Sequence, residues 1–524
     1  MIYSLKEFVV VFVIAVTIFR VTKPIALLFI APDDLSRRRN TWLVLTATAF
    51  FAPNFWAFAL VAMPLTIWAG RKDTNPSAVY IMLFTVIPPV ETPLPMIGMP
   101  YLLMMSNYLI LSFCVLTPLA LRIYRFKRKH KEPVLQFTDY CLLAFGFLTA
   151  VLYIQAVRPD GGLYPTSITE CLRRGFVFFF EAFIPYFAIS RAGEDRRKLI
   201  DMIATYCLCC ALLAAVGIFE SARNWLLYAE MFGRLGAPGH GGTYLMRGES
   251  LRAMASTGHA MALAYMLVPA YGLWLYLQSR MDSKKWTIGG AIVFWGGLLA
   301  AYTRGAWVGA VVVYFLFAAL QPGSLSKLFK ATGGALIVGM LIYLSPLGDK
   351  IVSVLPWFGG NVDDSNIVYR QRLWDRSWEI IQDSPFLGDQ GALLKMQDLR
   401  QGEGFVDLVN AYVGILLDNG FVGLALFLLF ILGAAHKAWT GSRKTRSSDE
   451  DLSVIGASLV ACIIAMLVML ENGSFGGAPE KAFYILAGLA TGYGVVARSS
   501  RGDPHARRVG INNGHGAPLK LRPR

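Results

Sequence analysis

The residues best suited to chemistry lie in one long polar loop of an otherwise apolar sequence. This polar loop, residues 345–410, is too hydrophilic to lie in lipid, and apolar runs precede and follow it. Guanidinium groups bind phosphate oxygens through paired hydrogen bonds, and a carboxylate can take a proton from an attacking hydroxyl group. The polar loop therefore predicts a site for a phosphate-bearing substrate. Its candidates are Arg370, Arg372, Arg376, Glu403, Asp407 and Asn410.

Other arginines stand just before the polar loop in the sequence. Arg304 lies between two apolar runs with almost no linker, and Arg247 and Arg252 precede His259. An arginine at membrane depth is costly and usually faces a polar cavity, although an arginine near a helix end can also reach the interface. We expect Arg304 to bind an anion at the mouth of a cavity. His259 has the position of a helix-start cap.

Each candidate in the polar loop also has a purely structural interpretation. Residues 369–382 have the apolar spacing of an amphipathic helix on or near the bilayer, ended by Pro385 and Gly388. Within it, Arg372 can pair with Asp375 and Arg376 with Glu379, whereas Arg370 has no acid three or four residues on. Asp407 and Asn410 are spaced by one helical turn, or Asp407 simply favours a helix N-terminus.

Composition determines which elements hold these residues. The 524-residue chain is 55% hydrophobic and 16% charged, and it contains a dozen or more runs of membrane-spanning length. This predicts an all-α polytopic membrane protein with about 12–15 membrane segments. Its net charge of +15 comes from basic residues in short loops, which orients such proteins and does not indicate nucleic-acid binding.

The order of the runs predicts four parts of the chain. Basic loops fall on one side of the membrane and the polar loop falls on the other, so we expect a periplasmic polar loop and a cytoplasmic C-terminus. The four parts are an N-terminal bundle (1–246), a core with the polar loop (247–435), a transmembrane pair (436–497) and a disordered basic tail (498–524).

The sequence contains no nucleotide-binding or hydrolase motif, and its cysteines lack ligand spacing, so it predicts no cofactor and no metal site.

Three blocks of sequence resemble the O-antigen ligase/polymerase superfamily of bacterial membrane glycosyltransferases. The first block resembles the family's short arginine turn, the second its R…W…P…G segment, and the third its asparagine-led span with G-x-x-G-L. Arg252 to His259 also resembles the run that comes before the family's preceding membrane span. One position departs from the family, because Val409 stands where its ligases have a histidine. In this respect the sequence resembles a polysaccharide-polymerase-like branch of the family. The three blocks are Tyr302–Trp307, Tyr369–Gly388 and Asn410–Leu424.

The resemblance implies a GT-C-like bundle and a metal-independent, inverting glycosyl transfer at the periplasmic face of the inner membrane. Its donor would be an undecaprenyl-diphosphate-linked oligosaccharide, its acceptor a growing glycan or lipid A core, and other polysaccharide-assembly proteins are possible partners. Asp407 or Glu403 would replace the missing histidine as general base, with Asn410 beside them. The diphosphate would bind Arg304, Arg370, Arg252, Arg247 and Arg372.

Two other classes of function remain open from the sequence. A flippase for the same lipid-linked sugars would need charges deep within several spans and two related halves. A non-catalytic subunit of an export complex would explain the valine at position 409. Purified protein given a lipid-linked oligosaccharide would lengthen the glycan, move it without bond formation, or do neither.

Overall fold

The architecture is almost entirely helical. A computed structural model describes residues 2–87, 89–155, 168–236, 246–247, 250–281, 283–321, 326, 332–334, 340, 364–400, 406–473 and 476–500. Eight helices in this part of the chain are long and apolar enough to cross a membrane, and the 17-residue helix at 304–320 is also apolar. The predicted all-α polytopic membrane fold is confirmed. The number of 12–15 segments stays a prediction.

The first half of the chain supplies helices α1 to α10 and one hairpin. Helices α2 and α3 are separated by a short break, and Asn54 caps α3. Short π-helical turns join α5 to α6 and α8 to α9. The helices are α1 Ile2–Ala26, α2 Pro32–Phe51, α3 Phe55–Lys72, α4 Pro76–Leu83, α5 Asn107–Leu111, α6 Thr117–Lys129, α7 Phe137–Gln155, α8 Ile168–Phe178, α9 Ile184–Ala192 and α10 Arg196–Arg223.

The second half supplies helices α11 to α18. Two short 3-10 turns, Ala255–Thr257 and Ala392–Leu399, lie before α12 and after α15. Helix α17 packs against α12, α14 and α16, so it is central in this half. The helices are α11 Ala229–Leu235, α12 Ala260–Gln278, α13 Lys284–Ala300, α14 Arg304–Leu320, α15 Asp364–Asp383, α16 Ala411–Thr445, α17 Glu450–Leu470 and α18 Gly477–Ser499.

Two antiparallel hairpins interrupt the helices. Strands β1 (Glu91–Met96) and β2 (Met99–Ser106) pair around a turn at Gly98, and β3 (Met246–Arg247) pairs with β4 (Ser250–Leu251). The prolines of residues 91–100 lie within the first hairpin. Proline is compatible with an edge strand, and both strands of a two-stranded hairpin are edges.

Helix α16 is broken near its start, where Gly420 has φ +62° and ψ −167°. The broken turn frees backbone groups, and the loop after α15 bonds to them from both sides. Asp389 N donates to Leu417 O (2.6 Å), and Phe421 N donates to Pro385 O (2.8 Å). A Cβ at Gly388 or at Gly420 would lie under 3.0 Å from the opposing backbone. Two glycines thus allow two backbones to dock directly.

The segment of α16 before this break belongs to a second, smaller hydrophobic core. The part of α16 after the break, residues 421–445, is about 37 Å long and suffices to cross the ~30 Å of bilayer hydrocarbon. Val413, Leu416 and Leu417 pack with Leu373 and Ile380 of α15. The predicted helix is confirmed at 364–383; Leu373 and Ile380 are covered by protein, whereas Trp374 and Trp378 are exposed. The polar loop is therefore built onto the start of α16 as a small packed unit.

This docking predicts that Gly420→Ala destabilises the fold. The left-handed backbone and the overlap with Phe386 should lower the free energy of unfolding by ~1–3 kcal/mol. The measurement is the midpoint of thermal unfolding of the protein purified in detergent. Gly414→Ala is the matched control, since its Cβ meets only Leu408 at 3.8 Å. Equal midpoints for the two variants would contradict the docking.

Candidate functional site

Arg304 lies at the tip of a very tight turn between two apolar helices. Helix α13 ends at Ala300, Tyr302 adopts φ +46°, and α14 begins at Arg304. A positive φ is uncommon for a large side chain, so the surrounding structure must hold this turn. Trp307 Nε1 donates to Leu298 O (2.9 Å) across the two helices. The turn thereby presents Arg304 at one end of the bundle, as the sequence predicts.

Arg252 reaches the same turn from a different part of the chain. Ala253 N donates to Ala300 O (3.0 Å), which aligns this segment along the end of α13. The Arg252 guanidinium donates to Thr303 Oγ1 (3.3 Å) and to Ala301 O (3.5 Å). Arg252 is therefore held by Thr303, the residue that directly precedes Arg304.

A buried carboxylate fixes the segment that carries Arg252. Glu220, near the end of α10, is fully buried and accepts hydrogen bonds from three backbone amides. Met254 N (3.0 Å) and Ala255 N (2.8 Å) donate to its Oε2, and Leu227 N donates to its Oε1 (3.0 Å). These bonds also support the positive φ of Ala255, at +46°. Glu220 thus positions Arg252 without pairing with it.

Arg370 approaches from the polar loop. It lies on α15, and its Nη1 donates to Asn472 Oδ1 (3.0 Å). Asn472 follows the end of α17 and lies beside the first turn of α14, because a Cβ on Gly305 would be 3.6 Å from its Cβ. Arg304 and Arg370 are close enough for their charges to repel. We call the end of the bundle that carries Arg252, Arg304, Arg370 and Asn472 the site end.

The electrostatics of the site end favour an anion. Arg304 Nε is buried and has no hydrogen-bond partner among the described residues. The N-terminus of α14 adds partial positive charge at the same point. The partner seen for Arg370 is a neutral amide, which leaves its charge uncompensated by that bond. An anionic group placed between these arginines would relieve their repulsion and supply the missing acceptor.

Other predicted phosphate ligands are placed elsewhere or lie outside the described residues. Arg376 pairs with Glu379 (2.6 Å) as predicted, and it also bonds to Lys395 O. The predicted pair between Arg372 and Asp375 is not formed between these two described side chains; both are exposed, and water solvates such charges at little cost. The backbone of Arg247 lies in β3, and its side chain is not among those described.

One of the predicted acidic candidates, Asp407, contacts the residue that precedes Arg370. Asp407 is held by Tyr369, whose hydroxyl accepts from Asp407 N (3.1 Å) and donates to Asp407 O (3.2 Å). Asn410 caps α16, with its Oδ1 accepting from Tyr412 N (2.9 Å). Residues 406–410 are not helical, so the predicted spacing of one helical turn between Asp407 and Asn410 is wrong. Glu403 lies outside the described residues.

His259 is confirmed as a capping residue. Its Nδ1 accepts from Met261 N (3.1 Å) at the start of α12. This acceptor role requires an unprotonated Nδ1, which leaves the proton of a neutral ring on Nε2. Met261 approaches Gly473, the neighbour of Asn472, so the start of α12 lies at the site end.

Glu220 and Asn472 are the residues of the site end that sequence reasoning missed. Glu220 has a usable signal, since it is a carboxylate within an apolar span and such residues usually have a specific role. Asn472 lies in a short polar connection, and only the packing of α17 against α14 brings it to Gly305.

Several charged side chains other than the arginines of the site end are also buried, and they are paired with one another. Arg38 pairs with Asp73 (2.7 Å) and Asp201 (2.6 Å), and Lys481 pairs with Glu181 (3.0 Å). Burial of a charge in a bundle is tolerated when a partner compensates it. These pairs are closed links between helices.

The fold is that of a multi-pass membrane protein, and its site end carries three arginines. Residues 289–428 match the family model described as O-antigen ligase, which confirms the predicted resemblance to the O-antigen ligase/polymerase superfamily. The matched segment contains Arg304, Arg370, Asp407 and Asn410, whereas Arg252 precedes it. No curated protein matches the sequence.

The anchoring of Arg252 predicts the effect of Glu220→Gln. The amide presents an N–H group to backbone donors and leaves at least one of them unsatisfied, at a cost of ~1–3 kcal/mol. We expect a lower midpoint of thermal unfolding and faster proteolysis within residues 246–258. Glu230→Gln on α11, an exposed residue, should change neither. An unaltered cleavage rate for Glu220→Gln would show that this carboxylate does not hold the segment.

Proposed function

We propose that the protein transfers or polymerises a glycan carried on undecaprenyl diphosphate, at the periplasmic face of the bacterial inner membrane. The observation that carries the proposal is the convergence of Arg252, Arg304 and Arg370 at one end of the bundle, within and beside the O-antigen ligase segment. A diphosphate bears several negative charges and many acceptor oxygens, and guanidinium groups match both. Oxygens of this kind would satisfy the buried Arg304 Nε.

The proposed reaction is an inverting substitution that needs no metal ion. The oxygen of an acceptor hydroxyl attacks the anomeric carbon, the bond from that carbon to the diphosphate oxygen breaks, and the electron pair leaves with the diphosphate. The hydroxyl proton passes to a base, Asp407 or Glu403. The arginines stabilise the charge that develops on the leaving group, which is commonly the largest contribution to such catalysis.

The surroundings of Asp407 support its assignment as the base. Tyr369 bonds the backbone of Asp407 and directly precedes Arg370, so the backbone of the proposed base lies beside the helix that carries the phosphate ligand. In the same proposal, Asn410 orients the start of α16 beside the base, and Arg247 and Arg372 extend the positive surface. The acceptor is a growing glycan or lipid A core, and the C-terminus is cytoplasmic.

The flippase alternative is less favoured by the contacts. A transporter passes its substrate between spans and needs uncompensated polar groups there. The buried charges of Arg38 and Lys481 are instead compensated by carboxylates.

Arg304→Ala should abolish glycan transfer. Losing one preorganised donor to a developing charge lowers the rate by ~10²–10³-fold, and Arg304→Lys should be intermediate because it keeps charge without the planar fork. The measurement is the length of glycan formed by purified protein from lipid-linked oligosaccharide. Arg125→Ala, an exposed change in α6, is the control. Normal polymer from Arg304→Ala, at equal protein level, would exclude this site.

The assignment of the base predicts a different kind of loss. Asp407→Asn or Glu403→Gln should slow transfer by ~10²–10⁴-fold while the lipid diphosphate still binds, because a general base acts on the acceptor. Binding is measured by displacement of a labelled polyprenyl diphosphate. Asp398→Asn, a change at an exposed residue of the same polar loop, is the control. If both variants transfer glycan at the normal rate, neither carboxylate is the base.

A further inference from the structure

The hairpin β1–β2 lies at the site end and borders the membrane-spanning helices directly. Ser106 ends β2, and Asn107 begins a candidate membrane span without a linker. The same end of the bundle carries the segment after Arg252, because Ser256 Oγ donates to Thr85 O just before the hairpin. A Cβ on Gly258 would contact Pro89 at 3.1 Å. The base of the hairpin is therefore at the boundary of the bilayer.

The surface of this hairpin is apolar where a water-exposed hairpin would be polar. Residues 92–106 contain no charged side chain. Ile97 at the tip is 100% exposed, and Met96 and Leu102 are 44% and 45% exposed. A hairpin in water normally alternates apolar and polar faces, and an isolated two-stranded hairpin is marginally stable there. This composition is suited to an environment that contains little water.

The backbone of the hairpin is also adapted to such a surrounding. Pro93 and Pro95 have no N–H, so two residues of β1 present no donor at an open edge. On β2, Arg173 Nε donates to Leu102 O (2.7 Å), and its guanidinium lies 4.2 Å from the ring centre of Tyr101. Arg173 places a positive charge beside the strand.

We propose that the exposed face of this hairpin lies among the phospholipid headgroups of the leaflet that borders the site end. Irregular or open strands are excluded from the hydrocarbon core, which limits the hairpin to the interface. The apolar tip contacts the upper acyl chains, and Arg173 sits at the level of the lipid phosphates. The partner is lipid, since the hairpin continues into a membrane span and its residues 92–106 carry no charge to specify a protein. This surface is independent of glycan transfer.

Site-directed fluorescence tests this placement. Ile97→Cys in the full chain is labelled with an environment-sensitive NBD fluorophore, and the protein is reconstituted in phosphatidylcholine/phosphatidylglycerol vesicles. Because Ile97 is fully exposed, the change does not disturb the packed structure. The wild-type chain gives the background labelling of its seven cysteines. Asp398→Cys, exposed in the polar loop, is the matched control for water.

Two quenchers separate the outcomes. A nitroxide carried on the lipid near its headgroup should quench the label at position 97 several-fold more than the label at position 398. Iodide present on both sides of the vesicles should show the opposite order. Strong iodide quenching at position 97 would place the tip in water and overturn the proposal. Protection from both quenchers would also overturn it, because a second copy of the chain would then cover the hairpin.

Discussion

The repulsion between Arg304 and Arg370 is the constraint on which the rest of the site depends. Two guanidinium groups converge at the end of an apolar bundle, beside the positive N-terminus of α14, and one buried nitrogen has no partner among the described residues. Water screens part of this repulsion because Arg370 is exposed, and a negatively charged group placed between the two side chains would remove it.

The scaffold holds each arginine by a separate device. A strained turn at Tyr302 fixes Arg304, the buried Glu220 fixes the segment of Arg252, and Asn472 fixes Arg370. The polar loop is held by two glycines that let its backbone dock on the break in α16. These devices come from four distant parts of the chain, so the site exists only in the folded bundle.

The sequence predicts the parts whose signals are local. Hydropathy gives the membrane helices, periodicity gives α15, and the short linker gives the Arg304 turn. The hairpin is missed because prolines normally indicate a loop, and Asn410 is misjudged because spacing is informative only once the helix boundary is known. Glu220 and Asn472 act through contacts distant in sequence, which no local pattern reveals. Sequence resemblance selects the O-antigen ligase segment, but it does not show how Arg252 joins it.

The most direct measurement is an experimental structure of the protein with a bound polyprenyl diphosphate in a lipid nanodisc. The account predicts density for both phosphates between Arg252, Arg304 and Arg370, with an oxygen within hydrogen-bonding distance of Arg304 Nε. A diphosphate bound at another surface, with these three guanidinium groups in contact only with water or protein, would contradict it.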